Sequence, residues 1–283
     1  MNLSNPTATI FIPSGEQEQS ALARITHLGI GAHQDDLEFM AFHGVEACYR
    51  QSDKWFGGVT CTDGAGSSRI GPYKELSDKE MCEVRSREQD NAALVGDYSA
   101  MIQLDYPSHV IKKPSNVSPV EDLITILDST KPDIVYTHNL ADKHSTHVAV
   151  TANVLKALRA LPPEDRPGQV LGCEVWRGLD WMLDSDKTIL DVSPRPNLAS
   201  AIGGIFDSQI TGGKRYDLAV EGRRVANATF YDSHSVDSVE KLWFAMDLTP
   251  LIHDLSLDPV DYALSFIRRF ENDVREAIGT HFP

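Results

Sequence analysis

The segment ITHLGIGAHQDDLE, residues 25–38, places an apolar run directly before a cluster of polar side chains. The run from Ile25 to Gly31 has the length and residue types of a strand that is buried on both faces. Apolar residues then recur at about helical spacing between Leu37 and Gln51, and the run from Trp55 to Cys61 again has the character of a strand. This succession predicts a β-α-β unit.

The same alternation continues along the chain. The residues Ser77 to Glu80 match a capping box that opens a helix to about Leu94, and the residues Ser118 to Glu121 match a second one. Each predicted helix is followed by an apolar run, at residues 100–104 and 134–137. Because right-handed crossovers place helices on both faces of a parallel sheet, the sequence predicts an α/β fold, a Rossmann-like three-layer α/β/α domain with a mostly parallel sheet.

The second half of the chain continues this pattern less regularly. We expect a helix from Thr146 to about Leu161, apolar strands at 170–175 and 189–192, and helices at 216–230 and 259–278. The last helix is amphipathic, with Val260, Phe266, Phe270 and Val274 on one side, and is predicted to pack on the sheet. We predict a single domain over residues 1–283, with a core at about 22–162 and an extension of the sheet with substrate loops and packing helices at 163–283.

The formal net charge of −15 excludes some classes of partner. A field of this sign repels phosphate backbones and anionic headgroups, so we expect neither nucleic acid nor a membrane surface as a partner. A small neutral substrate fits the net charge better. A homo-oligomer is compatible with the sequence, which leaves the oligomeric state open.

Cysteine usage and the N-terminus favour a reducing compartment. The four cysteines are scattered without a paired spacing, so we expect neither a disulfide framework nor a thiolate zinc site. The first 19 residues lack the basic end and apolar run of a signal peptide, and no stretch approaches the roughly 18 apolar residues of a membrane helix. The predicted location is the cytoplasm.

The polar cluster after the first strand is the first candidate site. His33, Asp35, Asp36 and Glu38 lie where open α/β folds bind their ligands, at the carboxyl edge of the sheet. Crowded carboxylates repel one another unless a cation offsets the repulsion, and a mixture of histidine and carboxylate suits zinc. The structural alternative is a polar turn in which an Asp caps the following helix.

A second polar patch follows a later strand. The segment HNLADKHSTH, residues 138–147, comes directly after the apolar run that ends at Thr137. If the two loops converge, His147 adds a second imidazole to His33 and Asp36 and leaves coordination positions open for water and substrate. A His-x-x-His pair alone is more often a solvated helix start, so its position opposite the first patch carries the argument.

Together the two motifs resemble those of the PIG-L or LmbE-like deacetylases, metal-dependent enzymes that remove acyl groups from N-acetylglucosamine derivatives. The resemblance runs from about Ile25 to Ala160, with a weaker echo at residues 207–209. It implies a zinc-dependent amide hydrolase that acts on a small-molecule amino sugar. Iron or cobalt could occupy the same ligands.

The resemblance also implies a role for six residues. His33, Asp36 and His147 correspond to the metal ligands, Asp35 corresponds to the general base, and His144 corresponds to a residue that assists the transition state. Arg85, in the segment RSRE, matches an Arg-x-x-Glu segment of the family and is a candidate substrate contact.

This chain departs from the family pattern at two positions. Gln34 stands where the family usually has Pro, which leaves the ligands in register. Thr146 stands where the family often has an acid, and the missing carboxylate predicts weaker orientation of His144 and a lower pKa for its imidazole.

The remaining chemistry-bearing residues carry weaker signals. Trp176, Trp181 and Tyr106 lie near loop signals and could stack on a sugar, although most such aromatics are core residues. Glu38 is expected to support the site from behind or to act as a first-turn helix acid. The other histidines have no marked spacing and are expected to be structural or exposed: His27, His43, His109, His138, His234, His253 and His281.

Two alternative functions remain open. One is an amidase that cleaves a larger acyl or thiol-conjugate amide on the same site. The other is a non-catalytic sugar-binding module that keeps a metal for structure, against which Asp35 argues because a structural site has no use for a free carboxylate beside an open metal position.

Overall fold

The computed structural model describes residues 1–282 and has a single eight-stranded sheet as its centre. Its strands are β1 (Thr9–Phe11), β2 (His27–Gly31), β3 (Phe56–Thr62), β4 (Ala100–Tyr106), β5 (Ile134–His138), β6 (Gln169–Cys173), β7 (Lys187–Asp191) and β8 (Leu242–Asp247). Their spatial order is β1-β4-β3-β2-β5-β6-β8-β7. The five central strands from β4 to β6 are parallel, whereas β1, β8 and β7 pair antiparallel at the two sides.

Helices cover both faces of this sheet. They are α1 (Glu18–Ala23), α2 (Asp36–Met40), α3 (Phe42–Cys48), α4 (Asp78–Val95), α5 (Ser108–Ile111), α6 (Ser118–Thr130), α7 (Ser145–Ala160), α8 (Pro196–Gly203), α9 (Asp207–Ile210), α10 (Tyr216–Phe230), α11 (Pro250–His253) and α12 (Pro259–His281). Three short 3-10 turns lie at Gly71–Tyr73, Pro163–Asp165 and Asp184–Asp186.

Two separate apolar cores confirm the three-layer prediction. One core joins the sheet to α6 and α7 through residues such as Leu123 and Val154, and the other joins it to α2 and α3 through Leu37 and Val45. Every residue of β2 and β3 is buried, as expected for strands that are covered on both faces. The fold is therefore α/β with a mostly parallel sheet.

The order of the strands reverses between β2 and β5. From β2 the chain proceeds to β3 and β4 on one side, and it returns to build β5 and β6 on the other side. Such a reversal opens a crevice at the carboxyl ends of the two strands, because their outgoing loops diverge there. Both predicted polar patches leave the sheet at this crevice.

Two local predictions are wrong, and two strands were missed. The single helix expected between Leu37 and Gln51 is two short helices that break at Ala41, whose φ of −106° and ψ of 14° are not helical. The capping box at Ser77 and Glu80 forms, but the expected one at Ser118 does not, because the helix already includes Ser118 as its first residue. In addition, β1 and β8 were not predicted from the sequence.

The packing predicted for the last helix holds for its first half only. Of the four apolar residues expected to face the sheet, Phe266 is buried and Phe270 is half-buried, whereas Val260 is 65% exposed and Val274 is 38% exposed. All residues from Glu271 to Phe282 are exposed, so this half of α12 extends beyond the body of the domain. The amphipathic pattern identified the helix and its partner correctly but overestimated the packed length, because Phe266 joins the apolar core of the sheet and the residues beyond Phe270 do not.

The four cysteines form no disulfide, and three of them, Cys48, Cys61 and Cys173, are buried. In residues 1–282, no helix combines the length and the apolar character that crossing a bilayer requires.

Candidate active site

The two polar patches lie side by side at the crevice. The strands that precede them, β2 and β5, are parallel neighbours, with His27 paired to Ile134 and Gly29 paired to Tyr136. Their loops therefore leave the same edge of the sheet next to each other. The structure thus brings together the side chains that the sequence places 100 residues apart.

Three predicted ligand atoms form a compact triangle. Nδ1 of His33 lies 3.3 Å from Oδ2 of Asp36, and Nε2 of His147 lies 3.5 Å from the same oxygen. The two ring nitrogens of His33 and His147 are 3.2 Å apart. Nitrogen and oxygen ligands at zinc-like bond lengths of 2.0–2.2 Å span about 3.3–3.6 Å along the edge of a tetrahedron. The donor atoms and their spacing therefore fit one face of a tetrahedral zinc site.

Two overlapping groups of potential ligands share His147. One group adds His144 to His33 and His147, and the other combines Asp36 and His147 with His138. In the second group, Nε2 of His138 accepts the backbone N–H of Ala32 at 2.9 Å, so its lone pair is already used. This occupied lone pair favours the triangle of His33, Asp36 and His147 over the second group, and it leaves His144 as a further candidate ligand.

His138 is the residue that sequence reasoning missed. Its ring is fully buried, stacks on His147 at 3.8 Å between centroids, and places Nε2 3.4 Å from Oδ2 of Asp36. It was expected to be structural or exposed, and it supports the site from behind. Its position as the last residue of β5, at the edge where ligands bind, was the only available signal.

The electrostatics of the cluster attract a cation. Burial opposes ionisation of Asp36, but the neighbouring His147 and His138 outweigh it and hold the pKa of this carboxyl well below its usual range. Burial likewise opposes protonation of His147, but the carboxylates of Asp36 and Asp142 outweigh it and raise the pKa of the imidazole. A buried carboxylate with converging imidazoles is an arrangement that a divalent ion neutralises.

Asp35 lies beside the triangle rather than in it. Its φ of 98° is in the left-handed region that residues with a side chain rarely adopt, so the backbone is strained at this position. Oδ2 of Asp35 lies 3.3 Å from Nη2 of Arg85, and both side chains line the same cavity. Burial raises the pKa of Asp35 well above its usual range, while the charge of Arg85 opposes this rise. Asp35 is thus a buried carboxyl that faces the cavity, with a raised pKa and a cationic partner beside it.

His144 faces the same cavity but lacks a side-chain partner. Its Nδ1 is buried and neither accepts nor donates a hydrogen bond. This agrees with the sequence, which has Thr146 where the family often has an acidic residue. Burial, together with the nearby His147 and His33, lowers the pKa of His144 to about 4. At neutral pH the imidazole is uncharged, so it can act as a hydrogen-bond donor rather than as a cation.

Asp142 is a second residue that sequence reasoning did not select. Its Oδ1 accepts the backbone N–H of His144 at 2.8 Å, and its Oδ2 accepts the backbone N–H of Trp176 at 3.2 Å and lies 3.4 Å from Nδ1 of His147. A carboxylate on the far nitrogen of a ligand histidine fixes the ring and its tautomer. Asp142 therefore orients His147 and shapes the loop around it.

Glu38 and Gln34 are buried beneath the loop after β2 and support it through hydrogen bonds. Glu38 is buried and accepts hydrogen bonds from Tyr98 at 2.8 Å and Gln89 at 2.9 Å. Gln34, which stands where the family usually has Pro, is buried and donates to the carbonyl of Thr62 at 3.0 Å. The carbonyl of Gln34 in turn accepts a hydrogen bond from Arg85.

A cavity of about 610 Å³ opens over Asp35, Asp36 and His144. Of the three aromatics considered for sugar binding, Trp176 lines this cavity, and its ring lies nearly parallel to His144 with 6.1 Å between centroids. Trp181 packs on the apolar core, and Tyr106 is buried against Asp122, so neither reaches the cavity. Tyr216 and Trp243 form further aromatic walls.

The family model of PIG-L, described as GlcNAc-PI de-N-acetylase, matches residues 28–158. These residues include both polar patches and all six predicted site residues. A comparison with curated protein sequences found no significant match.

Solved structures share the fold at low sequence identity. N,N'-diacetylchitobiose deacetylase from Pyrococcus horikoshii is 17% identical, with a TM-score of 0.63 over 86% of this chain and 91% of its own. The 4-carboxy-2-hydroxymuconate hydratase from Pseudomonas putida KT2440 is 18% identical, with a TM-score of 0.58 over 79% of this chain and 96% of its own. A deacetylase of teicoplanin biosynthesis is 14% identical, with a TM-score of 0.55 over 78% of this chain and 98% of its own. Because a deacetylase and a hydratase share this fold, the fold alone does not select the reaction.

Proposed function

Residues 28–158 match the PIG-L family model, as the resemblance predicted, and from this premise we propose that the protein is a metal-dependent hydrolase that removes an acetyl or other acyl group from an N-acetylglucosamine-type amino sugar. The family, the cavity and the His/Asp cluster support this proposal. Zinc is the proposed metal, because two imidazoles and one carboxylate suit it among the divalent ions.

One observation carries the proposal. Three ligand atoms converge within 3.5 Å of one another, and the adjacent carboxylate of Asp35 lies outside their triangle, against Arg85 and facing the cavity. A purely structural metal site closes its coordination and has no use for a free carboxylate beside it. The arrangement is one that a hydrolytic site requires.

The proposed mechanism gives a separate role to each residue of the site. His33, Asp36 and His147 would hold a divalent ion, which would supply Lewis acidity to a substrate carbonyl and to water. Asp35 is the proposed general base that takes a proton from the attacking water and delivers it to the departing amine. Arg85 holds the carboxylate of Asp35 in place, and the neutral ring of His144 donates a hydrogen bond to the oxygen on which charge develops.

The test is amine release from a panel of N-acetylated amino sugars, measured after chelation and again after zinc is added back. We expect activity to depend on zinc, and we expect Asp35→Asn to lower kcat by more than about 1,000-fold while the zinc content stays near one per chain. Asp128→Asn, at an exposed position of α6, serves as the matched control.

Each result has a defined consequence. Unchanged turnover in Asp35→Asn would remove Asp35 from its role as base, and activity without any divalent ion would refute the metal-dependent mechanism. Addition of water to an unsaturated carboxylate, with no amine released from any sugar, would favour the reaction named for the Pseudomonas putida neighbour.

A further inference from the structure

Cationic side chains without acidic partners surround the mouth of the cavity. Lys214 and Lys112 line the cavity, and Lys143 lies beside it. The lysines that form ion pairs within residues 1–282 are Lys74, Lys79, Lys131, Lys187 and Lys241. The three lysines at the mouth are therefore free of carboxylate partners in a chain whose net charge is −15.

Two of these ammonium groups converge on one aromatic ring. Nζ of Lys214 lies 5.1 Å from the centroid of Trp176, and Nζ of Lys143 lies 5.7 Å from the same centroid. One cation over an exposed ring is stabilised only modestly, and a second one adds repulsion between the two charges. A bound anion would convert this repulsion into attraction.

The nearby acidic residues are engaged elsewhere. Asp142, which precedes Lys143, accepts the backbone N–H groups of His144 and Trp176, and Asp217 is paired with Arg215. Arg223 also lines the cavity, but it donates to the carbonyl of Val175 and its charge acts on the buried Glu174. Arg223 is thus compensated, whereas Lys214 and Lys143 are not.

The position of Trp176 links these cations to the chemistry. The ring of Trp176 lies beside His144, so a sugar held near His144 would direct its substituents towards the two ammonium groups. The net charge of the chain predicted a neutral substrate, yet the charges at the cavity mouth have the opposite sign to the chain as a whole. Because a cleft focuses its own local field, its lining and not the net charge governs what binds there.

We propose that the substrate carries an anionic group, a carboxylate or a phosphate, attached to the amino sugar, and that Lys214 and Lys143 bind it above Trp176. This inference rests on the proposed function, since it places the sugar beside His144. Lys112, elsewhere on the wall, contributes a longer-range attraction.

The experiment compares substrates that differ only in charge. They are the glycolic acid glycoside of N-acetylglucosamine, the corresponding uncharged amide, N-acetylglucosamine 1-phosphate and the methyl glycoside. We expect kcat/KM for an anionic substrate to exceed that for the neutral ones by about 10–100-fold, as for a charge-assisted hydrogen bond. The carboxylate and phosphate compounds then show which anion the site prefers.

Lysine variants assign this preference to the site. Lys214→Met and Lys143→Met should each reduce the preference for the anion by about tenfold, through KM, and leave kcat/KM for the amide unchanged. Lys156→Met removes the same charge from an exposed position on α7 and should leave the preference intact. Equal kcat/KM for the acid and the amide in the parent, or an unchanged preference in both variants, would overturn the proposal.

A binding measurement separates this inference from the proposed function. Calorimetric titration of the zinc-loaded Asp35→Asn protein with the glycolic acid glycoside and its amide requires no turnover. Selective binding of the acid that is lost in Lys214→Met supports the anion site even if no amine is ever released. Equal binding of both compounds refutes the anion site even if deacetylation occurs.

Discussion

The two loops that meet at the candidate active site are held in place by different means. The loop after β2 is fixed by its own residues, since Oδ2 of Asp36 accepts the backbone N–H groups of Ala32 at 3.1 Å and His33 at 2.7 Å. The loop after β5 is held by residues that are distant in sequence. Asn139 donates to the carbonyl of Cys173 at 3.0 Å, and Asp142 accepts the backbone N–H of Trp176. We call the first loop the self-contained turn because its own Asp36 caps it, although Arg85 and Gln89 also form hydrogen bonds with its backbone. We call the second loop the assembled loop because its contacts to Cys173 and Trp176 come from another part of the fold.

This difference explains why one loop is informative as a sequence and the other is not. In the loop after β2, a side chain accepts hydrogen bonds from backbone N–H groups a few residues away, so the whole arrangement is encoded in a short motif. Residues 33–36 could therefore be recognised from the sequence as a candidate site. The second loop distributes its supports over residues far apart in the chain, and only its histidine pair is visible locally. The comparison also predicts how the loops respond to substitution.

The largest expected effect is in the self-contained turn. Asp36→Ala removes both the ligand oxygen and the acceptor of two backbone N–H groups, so we expect zinc content near zero and an activity loss above about 1,000-fold. Asp36→Asn keeps an acceptor for the backbone and isolates the loss of the charge. Metal analysis and amine release measure both variants, and stoichiometric zinc in Asp36→Ala would contradict the proposed ligand set.

A smaller effect is expected in the assembled loop. Asp142→Asn removes the carboxylate beside Nδ1 of His147 and should weaken zinc binding by about 10–100-fold, because such supporting carboxylates tune a ligand histidine. Competition with a chelator of known zinc affinity gives the constant, and Asp128→Asn is again the control. If the two variants bind zinc equally, His147 is oriented by the fold alone.

The smallest expected effect concerns Glu38, the buried carboxyl that supports the loop after β2. Burial raises the pKa of Glu38 to about 7, although hydrogen bonds from Tyr98 and Gln89 oppose the rise, whereas the pKa of a glutamate in the unfolded chain is the ordinary 4.5. Between these two values the folded state keeps a proton that the unfolded chain has released, so the free energy of unfolding falls as pH rises.

The contribution of Glu38 is at most about 1.4 kcal/mol per pH unit. Glu38→Gln, whose amide oxygen can still accept from Tyr98 and Gln89, should lack this component of the slope. Urea unfolding of both proteins between pH 5 and pH 7 measures the difference. Parallel slopes would show that Glu38 is ionised in the folded protein.

Sequence patterns predicted the fold better than the edges of the sheet. The central strands and the long helices were recognised because apolar residues repeat at the period of each element. The three-residue β1 is too short to show a period, and the packing of α12 depends on where the rest of the domain ends, which a helical stripe does not encode.

The site was predictable to the extent that its geometry is local. The sequence analysis selected His33, Asp35, Asp36, His144 and His147. The structure brings all five together at one edge of the sheet, where the first four line the cavity and His147 lies buried beneath them, while their catalytic and metal-binding roles stay predictions. His138 and Asp142 escaped because their importance comes from stacking and contacts across the crevice. The lysines at the cavity mouth could not be predicted from the sequence either, because the net charge of the chain is negative and does not show where single charges lie.

The loop after β3 offers a practical consequence for protein engineering. Gly64 has a φ of +74°, and a Cβ there would lie 2.6 Å from Oε1 of Gln34 and 2.9 Å from Cδ of Arg85, so this position is closed to variation. Two residues later, a Cβ on Gly66 would meet no atom within 4 Å, although Gly66 lines the cavity. The hydroxyl of Ser67 accepts a hydrogen bond from Arg85 at 2.6 Å, so Ser67 is constrained as well. A library aimed at altered selectivity should therefore keep Gly64 and Ser67 constant and diversify Gly66 and Ser68, which line the cavity and are exposed.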